Sequence, residues 1–393
     1  MNPVVIASAV RTPLGDLLGR LAPLTAPQLG AHALRAATTR AGVAPDAIDE
    51  VLMGCVLPAG LGQAPARQAA RGAGLPDHVG ATTVNKVCGS GMKAIMLGHD
   101  MLLAESADIV AAGGMESMSN APHLAKARAG TRMGDLKLAD HMMLDGLEDA
   151  YEAGRPMGDF GEVAVKAYGF TRADQDAYAA ESLLRAQRAI ADGAFADEIV
   201  SIPVPSRRGE ILVADDEHPP KVSADKIASL KPAFRADGTI TAASASVIAD
   251  GAAAVILTRR DTAHARGLPV LAEIRGHSTH AQAPGLFTTA PVQAIRKLLD
   301  KIGWQVGNVD LFEINEAFAV VAMLAAKDLG IAHNRLNVNG GACALGHPIG
   351  ATGARLVVTL VHALKRRGMK RGVASLCIGG GEATALAVEL TST

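Results

Sequence analysis

Val84-Asn85-Lys86-Val87-Cys88-Gly89-Ser90-Gly91 leads into a helix-like run at 92–104 and then into Ile109-Val110-Ala111-Ala112-Gly113-Gly114, a short apolar strand closed by glycines. Ahead of it stands a second strand-like segment, Asp49-Glu50-Val51-Leu52-Met53. The same order returns near the carboxyl end. There Asp310-Leu311-Phe312-Glu313-Ile314 is followed by Val338-Asn339, a glycine-rich turn, a helix-like run at 353–365, and Val373-Ala374-Ser375-Leu376-Cys377-Ile378-Gly379-Gly380. Short apolar strands alternating with longer helical runs are the pattern of α/β layers, and the repetition predicts two similar halves. The second copy is longer. Its excess lies around Gly340-Gly341-Ala342-Cys343-Ala344-Leu345-Gly346-His347-Pro348, which reads as a functional loop absent from the first copy.

Outward from these repeats, residues 1–118 with about 247–270 are expected to form the first half and 271–393 the second. The apolar run before Arg11-Thr12-Pro13 reads as an opening strand. Between the halves, at 119–246, glycine, proline and charge rise and the strand signals weaken, so an inserted loop domain is expected there. It holds one amphipathic helix, beginning at Thr171 with Asp174 placed to complete a capping-box turn, running through Tyr178, Leu183 and Ile190, and stopped by Gly193. That helix either covers a substrate cleft or packs on a domain surface.

Composition excludes several classes of function. The 393 residues exceed what a single core ordinarily uses. With 38 basic against 39 acidic side chains there is no electrostatic case for nucleic acid or an anionic membrane as partner. Aromatics at 3% argue against a base-stacking platform, and 42 glycines imply close approach of backbone or ligands. With no basic leader and no apolar run of bilayer length, a cytoplasmic protein is expected. Four cysteines, Cys55, Cys88, Cys343 and Cys377, are scattered without a paired spacing, so reduced thiols are expected. No phosphate-binding loop motif or zinc spacing is present, and His277 and His280 read as surface residues rather than metal ligands.

Cys88 sits where a strand turns through glycines into a helix, so its sulfur is expected near a helix amino terminus, a position that favours thiolate. The glycines leave backbone N–H groups free to face a developing oxyanion. His347, beside Pro348, is placed to take a proton from such a thiol. Cys377 ends a strand before Gly379-Gly380-Gly381 and offers a second thiol for proton transfer. Asn315, in Glu313-Ile314-Asn315-Glu316-Ala317-Phe318, ends its strand and taken alone reads as a turn or cap.

As a set, these blocks resemble the thiolases from end to end: Arg11-Thr12-Pro13 with Gly15 and Gly19, the segment 84–91, Asn315-Glu316-Ala317-Phe318, Gly340-Gly341-Ala342 through Gly346-His347-Pro348, and the segment 377–381. The resemblance implies a layered αβαβα fold and a two-step acyl transfer. Cys88, deprotonated by His347, carries the acyl group, while Cys377 exchanges the proton at the α-carbon of acetyl-CoA. One oxyanion site is implied at His347 with a water held by Asn315, the other at the backbone N–H groups of Cys88 and Gly379. The pantetheine arm and acyl group of coenzyme A are implied to meet Leu147, Met157, Phe234, Ser246, Phe287, Ala317 and Phe318. Coenzyme A thioesters are then substrates, with no cofactor and no metal, and the chain is expected to form a homodimer or homotetramer, with about 118–145 as a tetramer contact.

Three positions depart from the short-chain pattern: Pro156 stands before Met157, Phe287 replaces a methionine, and Pro219-Pro220-Lys221 replaces an arginine, with Lys221 a substitute contact for phosphate. Both an acetyl-CoA acetyltransferase and a broader 3-ketoacyl-CoA thiolase fit, the first favoured by overall resemblance. A ketoacyl synthase fits less well, because Cys377 stands where a second histidine is expected. A non-catalytic acyl-CoA binding protein fits least, because nucleophile and base are both present.

Overall fold

The computed structural model describes residues 2–131, 133–207 and 209–391. The described residues place ten strands in the main sheet, of which nine follow one another across it: β1 (Val4–Arg11), β2 (Glu50–Gly54), β3 (Gly80–Val84), β4 (Ile109–Ser117), β5 (Ala249–Arg259), β6 (Ala272–Ala281), β7 (Leu311–Ile314), β8 (Arg371–Ile378) and β9 (Glu382–Glu389), while the two-residue strand Gly15–Asp16 pairs with β5 off this path. Their order is β7-β8-β9-β6-β1-β5-β4-β2-β3. The repeat seen in the sequence is a topological one. β2 runs parallel to β4 and β7 parallel to β8, and each pair is followed by an antiparallel partner, β5 beside β4 and β9 beside β8. Among the described residues, strand pairing joins the sheets of the two halves through two residue pairs, Val5↔Glu273 and Ile6↔Ala272.

Two helices lie between the halves: α2 (Ser90–Leu103) connects β3 to β4, and α7 (Ile349–Arg367) connects β7 to β8. A buried cluster containing Met92, Ile95, Leu356 and Leu360 joins them to Leu52 and Val110 of one half and Leu376 and Leu386 of the other. Outside the first half lies α1 (Ala26–Ala41). Outside the second lie α5 (Ala290–Ile302) and α6 (Ala319–Leu329), over Phe312, Val373 and Ala385. Helix, sheet, helix pair, sheet and helix thus form five layers, as the resemblance implies. α7 is buried almost throughout, which small residues such as Gly350, Ala351 and Gly353 permit. A Cβ on Gly353 would stand 2.4 Å from the Met92 backbone nitrogen, so the two central helices touch backbone to backbone there.

The chain leaves the sheet after β4 and returns at β5. In between are α3 (Met157–Tyr168) and α4 (Arg172–Ala191), the second started by the full capping box of Thr171 and Asp174. α4 does not reach the cleft described below. Its Tyr178 and Ser182 donate hydrogen bonds to buried Glu316 at 3.0 and 2.8 Å, so packing on a domain, not cleft covering, is its role. The glycine-rich stretch expected to be a loop is tighter than that: Ala342–Leu345 forms a helical turn, and α7 begins four residues earlier than the run read at 353–365. Among the described residues, no helix is long and apolar enough to cross a membrane.

Candidate active site

Cys88 is presented by a backbone turn held from both sides. Val87, a β-branched residue, has φ +45°, a conformation that costs on the order of 1–3 kcal/mol and persists only when its surroundings enforce it. Asn85 Oδ1 accepts from Val87 N–H at 2.9 Å, and Ser90 Oγ accepts from Lys86 N–H at 2.8 Å while donating to Val87 O at 2.6 Å. Gly89 lets Ile378 pack against this turn, since a Cβ there would stand 2.3 Å from the Ile378 Cδ1 and push that side chain aside.

His347 arrives from the second half, just before α7. Its backbone N–H donates to Val247 O at 2.8 Å. Its Nδ1 is 2.6 Å from Thr352 Oγ1, and that hydroxyl donates to Pro348 O at 2.9 Å. With its hydrogen so engaged, Thr352 accepts from His347, which puts the imidazole proton on Nδ1 and leaves Nε2 as an acceptor. Nε2 lies 3.5 Å from Asn315 Nδ2. Asn315 is fully buried and its Oδ1 has no hydrogen-bond partner among the described residues, so a polar ligand there would satisfy it.

Two buried carboxylates position these pieces. Glu316 accepts from Tyr178, Ser182, Asn337 and the Cys343 N–H, and so fixes the turn leading to His347. Only glycine fits at 341, where a Cβ would stand 2.3 Å from the Glu316 carboxylate. Glu116 accepts from the N–H groups of Val56, Leu57 and Gly350, and burial pushes its carboxyl up to about 7.

The electrostatics of the pair differ from the thiolate expectation. Burial pushes the Cys88 thiol up to about 11, although the N–H groups of Gly379 and of Cys88 itself point at the sulfur and pull the other way. Burial and the Arg355 guanidinium hold His347 down to about 3. At neutral pH the resting pair is therefore a protonated thiol and a neutral imidazole, because desolvation outweighs the helix terminus. Cys377 is likewise driven up, by burial and by neighbouring Cys88.

Cys88, Cys377, Gly379 and His347 line one small cavity of about 50 Å³ together with Leu147, Met157, Ser246, Phe287, Ala317 and Phe318. Leu147, Met157, Ser246, Phe318 and His347 also line a cleft of about 560 Å³, mostly apolar, which contains Phe234. Phe234 stacks edge-on against Phe318 at 5.7 Å between ring centroids. The shared residues make the small cavity the inner end of the cleft. Asn315 stands behind it against His347. Sequence reasoning missed Thr352 and Ile349, and at the outer end Leu17, Met118, Met143 and His218. Thr352 carries a weak signal, a polar residue in an otherwise small and apolar run just after Gly346-His347-Pro348. Lys221 is not the free cation expected for phosphate: its amine is 2.8 Å from Asp16 and 2.6 Å from Glu217. A separate cleft of about 500 Å³, lined by Arg185, Arg188, Arg366 and Arg367, gathers none of these residues.

Residues 4–261 match the family described as thiolase, N-terminal domain, and 268–390 that described as thiolase, C-terminal domain. An acetyl-CoA acetyltransferase of Chromobacterium violaceum is 50% identical over 389 residues, covering 98% of this chain and 99% of that protein. A probable acetyl-CoA acetyltransferase of Dictyostelium discoideum is 49% identical over 391 residues, covering 99% and 94%. The crystal structure of the Bacillus anthracis acetyl-CoA acetyltransferase is similar with a TM-score of 0.96 at 41% identity, covering 100% of this chain and 99% of that one.

Proposed function

From the premise that this chain belongs to the thiolase family of acyltransferases, we propose that it is an acetyl-CoA C-acetyltransferase, interconverting two acetyl-CoA with acetoacetyl-CoA and coenzyme A through an acyl-cysteine. The observation that carries the reading is the convergence of two thiols, a neutral imidazole and two sulfur-directed N–H groups on one cavity at the inner end of an apolar cleft.

In the first step, the Cys88 sulfur attacks the thioester carbonyl as its proton passes to His347 Nε2. The N–H groups of Cys88 and Gly379, already aimed at this sulfur, receive the oxyanion, and coenzyme A leaves with the proton that His347 took from Cys88. In the second step, Cys377 first passes its thiol proton to His347 Nε2 and, as thiolate, takes the α-proton of a second acetyl-CoA, while the resulting enolate oxygen is held by that Nε2–H and by a water on Asn315. The carbanion attacks the acyl-Cys88 carbonyl, and the departing Cys88 sulfur recovers a proton from His347. Coenzyme A thioesters serve as substrates, and the protein's own side chains carry every proton. The apolar cleft, with Phe234 and Phe318 along it, suits the pantetheine arm. Free thiols at Cys88 and Cys377 suit a reducing cytoplasm.

Coenzyme-A-dependent thiolysis of acetoacetyl-CoA beside a long 3-ketoacyl-CoA tests this reading. Preference for the short substrate is expected; equal or better use of the long one would make the chain a general ketothiolase, and turnover of neither would leave only acyl-CoA binding. Phe287, 2% exposed and packed edge-on against Phe160, closes the inner cavity where the acyl chain would extend. Phe287→Ala is expected to shift the ratio of kcat/KM toward a six-carbon 3-ketoacyl-CoA by about tenfold or more, since one methylene in a hydrophobic pocket is worth roughly 10 to 200-fold. An unchanged ratio would remove Phe287 from the specificity argument.

The resting ionisation makes its own prediction. With the thiol near 11 and the imidazole near 3, raising pH through the neutral range gains thiolate without limit by His347, so the rate of iodoacetamide alkylation at Cys88 should climb about tenfold per pH unit from 7 to 10. A plateau reached below pH 7 would mean a preformed thiolate and imidazolium.

The proposal includes assembly of two or four copies. It is supported by exposed Met133, Leu136 and Leu138 on the segment expected to be a tetramer contact. Light scattering is expected to give two or four times the 40.2 kDa of one chain, and a monomeric active enzyme would end this part of the reading.

A further inference from the structure

Away from both cavities, the carboxyl-terminal part of α2 meets β6, and three metal-competent side chains meet with it. His99 and Asp100 come from α2 and His277 from β6, so the cluster bridges the two halves of the fold. His99 Nδ1 is 3.2 Å and His277 Nε2 2.9 Å from the same oxygen, Asp100 Oδ1. One ligand atom from each residue lies within 4.8 Å of the other two. The two imidazoles stand edge to face, with centroids 5.0 Å apart and planes at 88°. Both imidazole side chains are about nine-tenths buried, while Asp100 is half exposed and opens the cluster to solvent.

We propose that His99, Asp100 and His277 form a binding site for a divalent transition metal of the zinc class, which clamps α2 to β6. Tetrahedral zinc with nitrogen and oxygen ligands at about 2.0–2.2 Å sets its ligand atoms about 3.3–3.5 Å apart. The two distances to Asp100 Oδ1 already approach that spacing, so binding requires only closing of the third edge, between the imidazole nitrogens. The exposed side next to Asp100 leaves the fourth position to water. Lys301 also approaches the cluster, its amine 3.4 Å from His277 O. His277 therefore finds its partners in His99 and Asp100, not in His280, which pairs with Gln282 at 3.1 Å.

Zinc chloride titrated calorimetrically into the chelator-stripped full chain tests the proposal. The titration is run in a Cys88→Ala/Cys377→Ala background, because the active-site thiols also bind zinc. One equivalent is expected to bind at micromolar Kd or tighter and to raise the melting temperature. His277→Gln is expected to weaken binding at least tenfold. Asp100→Asn, at a half-exposed position where an amide oxygen keeps a hydrogen-bond acceptor, is expected to fold and to weaken it comparably. Cobalt in place of zinc should give a visible absorption band that both variants lose. No binding to the background protein, or binding unchanged in folded Asp100→Asn, would overturn the proposal and leave the cluster a hydrogen-bonded staple.

Discussion

Replacing Cys88 with alanine is expected to abolish thiolysis and condensation alike, by at least about 10⁴-fold in kcat, because the acyl group then has no covalent carrier and the remaining donors cannot compensate. The circular dichroism spectrum should not change, since the turn at 85–90 is held by Asn85, Ser90 and backbone, not by the sulfur. Cys377→Ala separates the two steps. Acyl transfer from acetyl-CoA to Cys88 should persist, seen as exchange of labelled coenzyme A into acetyl-CoA, while carbon-carbon bond formation falls by at least about 10²-fold, the scale of a lost general base. If Cys88→Ala retained turnover, or if the two variants lost exchange equally, the division of labour between the thiols would be wrong.

The second large effect concerns stability. Arg11 is fully buried at the end of β1, and its guanidinium makes a bidentate pair with Asp216 at 2.7 and 2.8 Å while Nε donates to Glu198. Asp216 also accepts from Leu14 N–H, and Glu198 from Thr359 of α7, so one cation ties the opening strand to the segment between the halves and to a central helix. Arg11→Leu would strand two carboxylates in the interior. Removing one partner of a buried ion pair typically costs about 3–5 kcal/mol, because the other charge is left without compensation. That loss is expected in denaturant unfolding of the variant against the parent. Arg11→Lys should recover only part of it, as an ammonium cannot reproduce the planar fork. A loss below about 1 kcal/mol would mean that the network contributes little.

The legible parts of this molecule were those where local pattern and tertiary role coincide. β1, β4 and β8 are apolar runs buried on both faces, and α4 carries its own start signal at Thr171 and Asp174. The repeat of β2, α2 and β4 in β7, α7 and β8 could be read because both copies satisfy the same packing problem. What could not be read depends on burial and distant partners. A helix start after Cys88 argues for thiolate, but desolvation is a property of the assembled layers and it prevails. Arg11 could be read as following the opening strand but not as a buried cation, since the carboxylates that hold it come 187 and 205 residues later. Lys221 looked free for the same reason, its partners Asp16 and Glu217 being set by the fold. Thr352, which fixes the imidazole proton, gives only a weak signal in sequence, and its reach to His347 follows from α7 beginning at Ile349.

The most direct test of the account is to locate the acyl group itself. Wild-type protein mixed with acetyl-CoA, quenched in acid within a turnover and digested, is predicted to carry one acetyl group, on the peptide containing Cys88 and on no other. An acetyl group on Cys377, or steady turnover with no acylated peptide at any time, would contradict it.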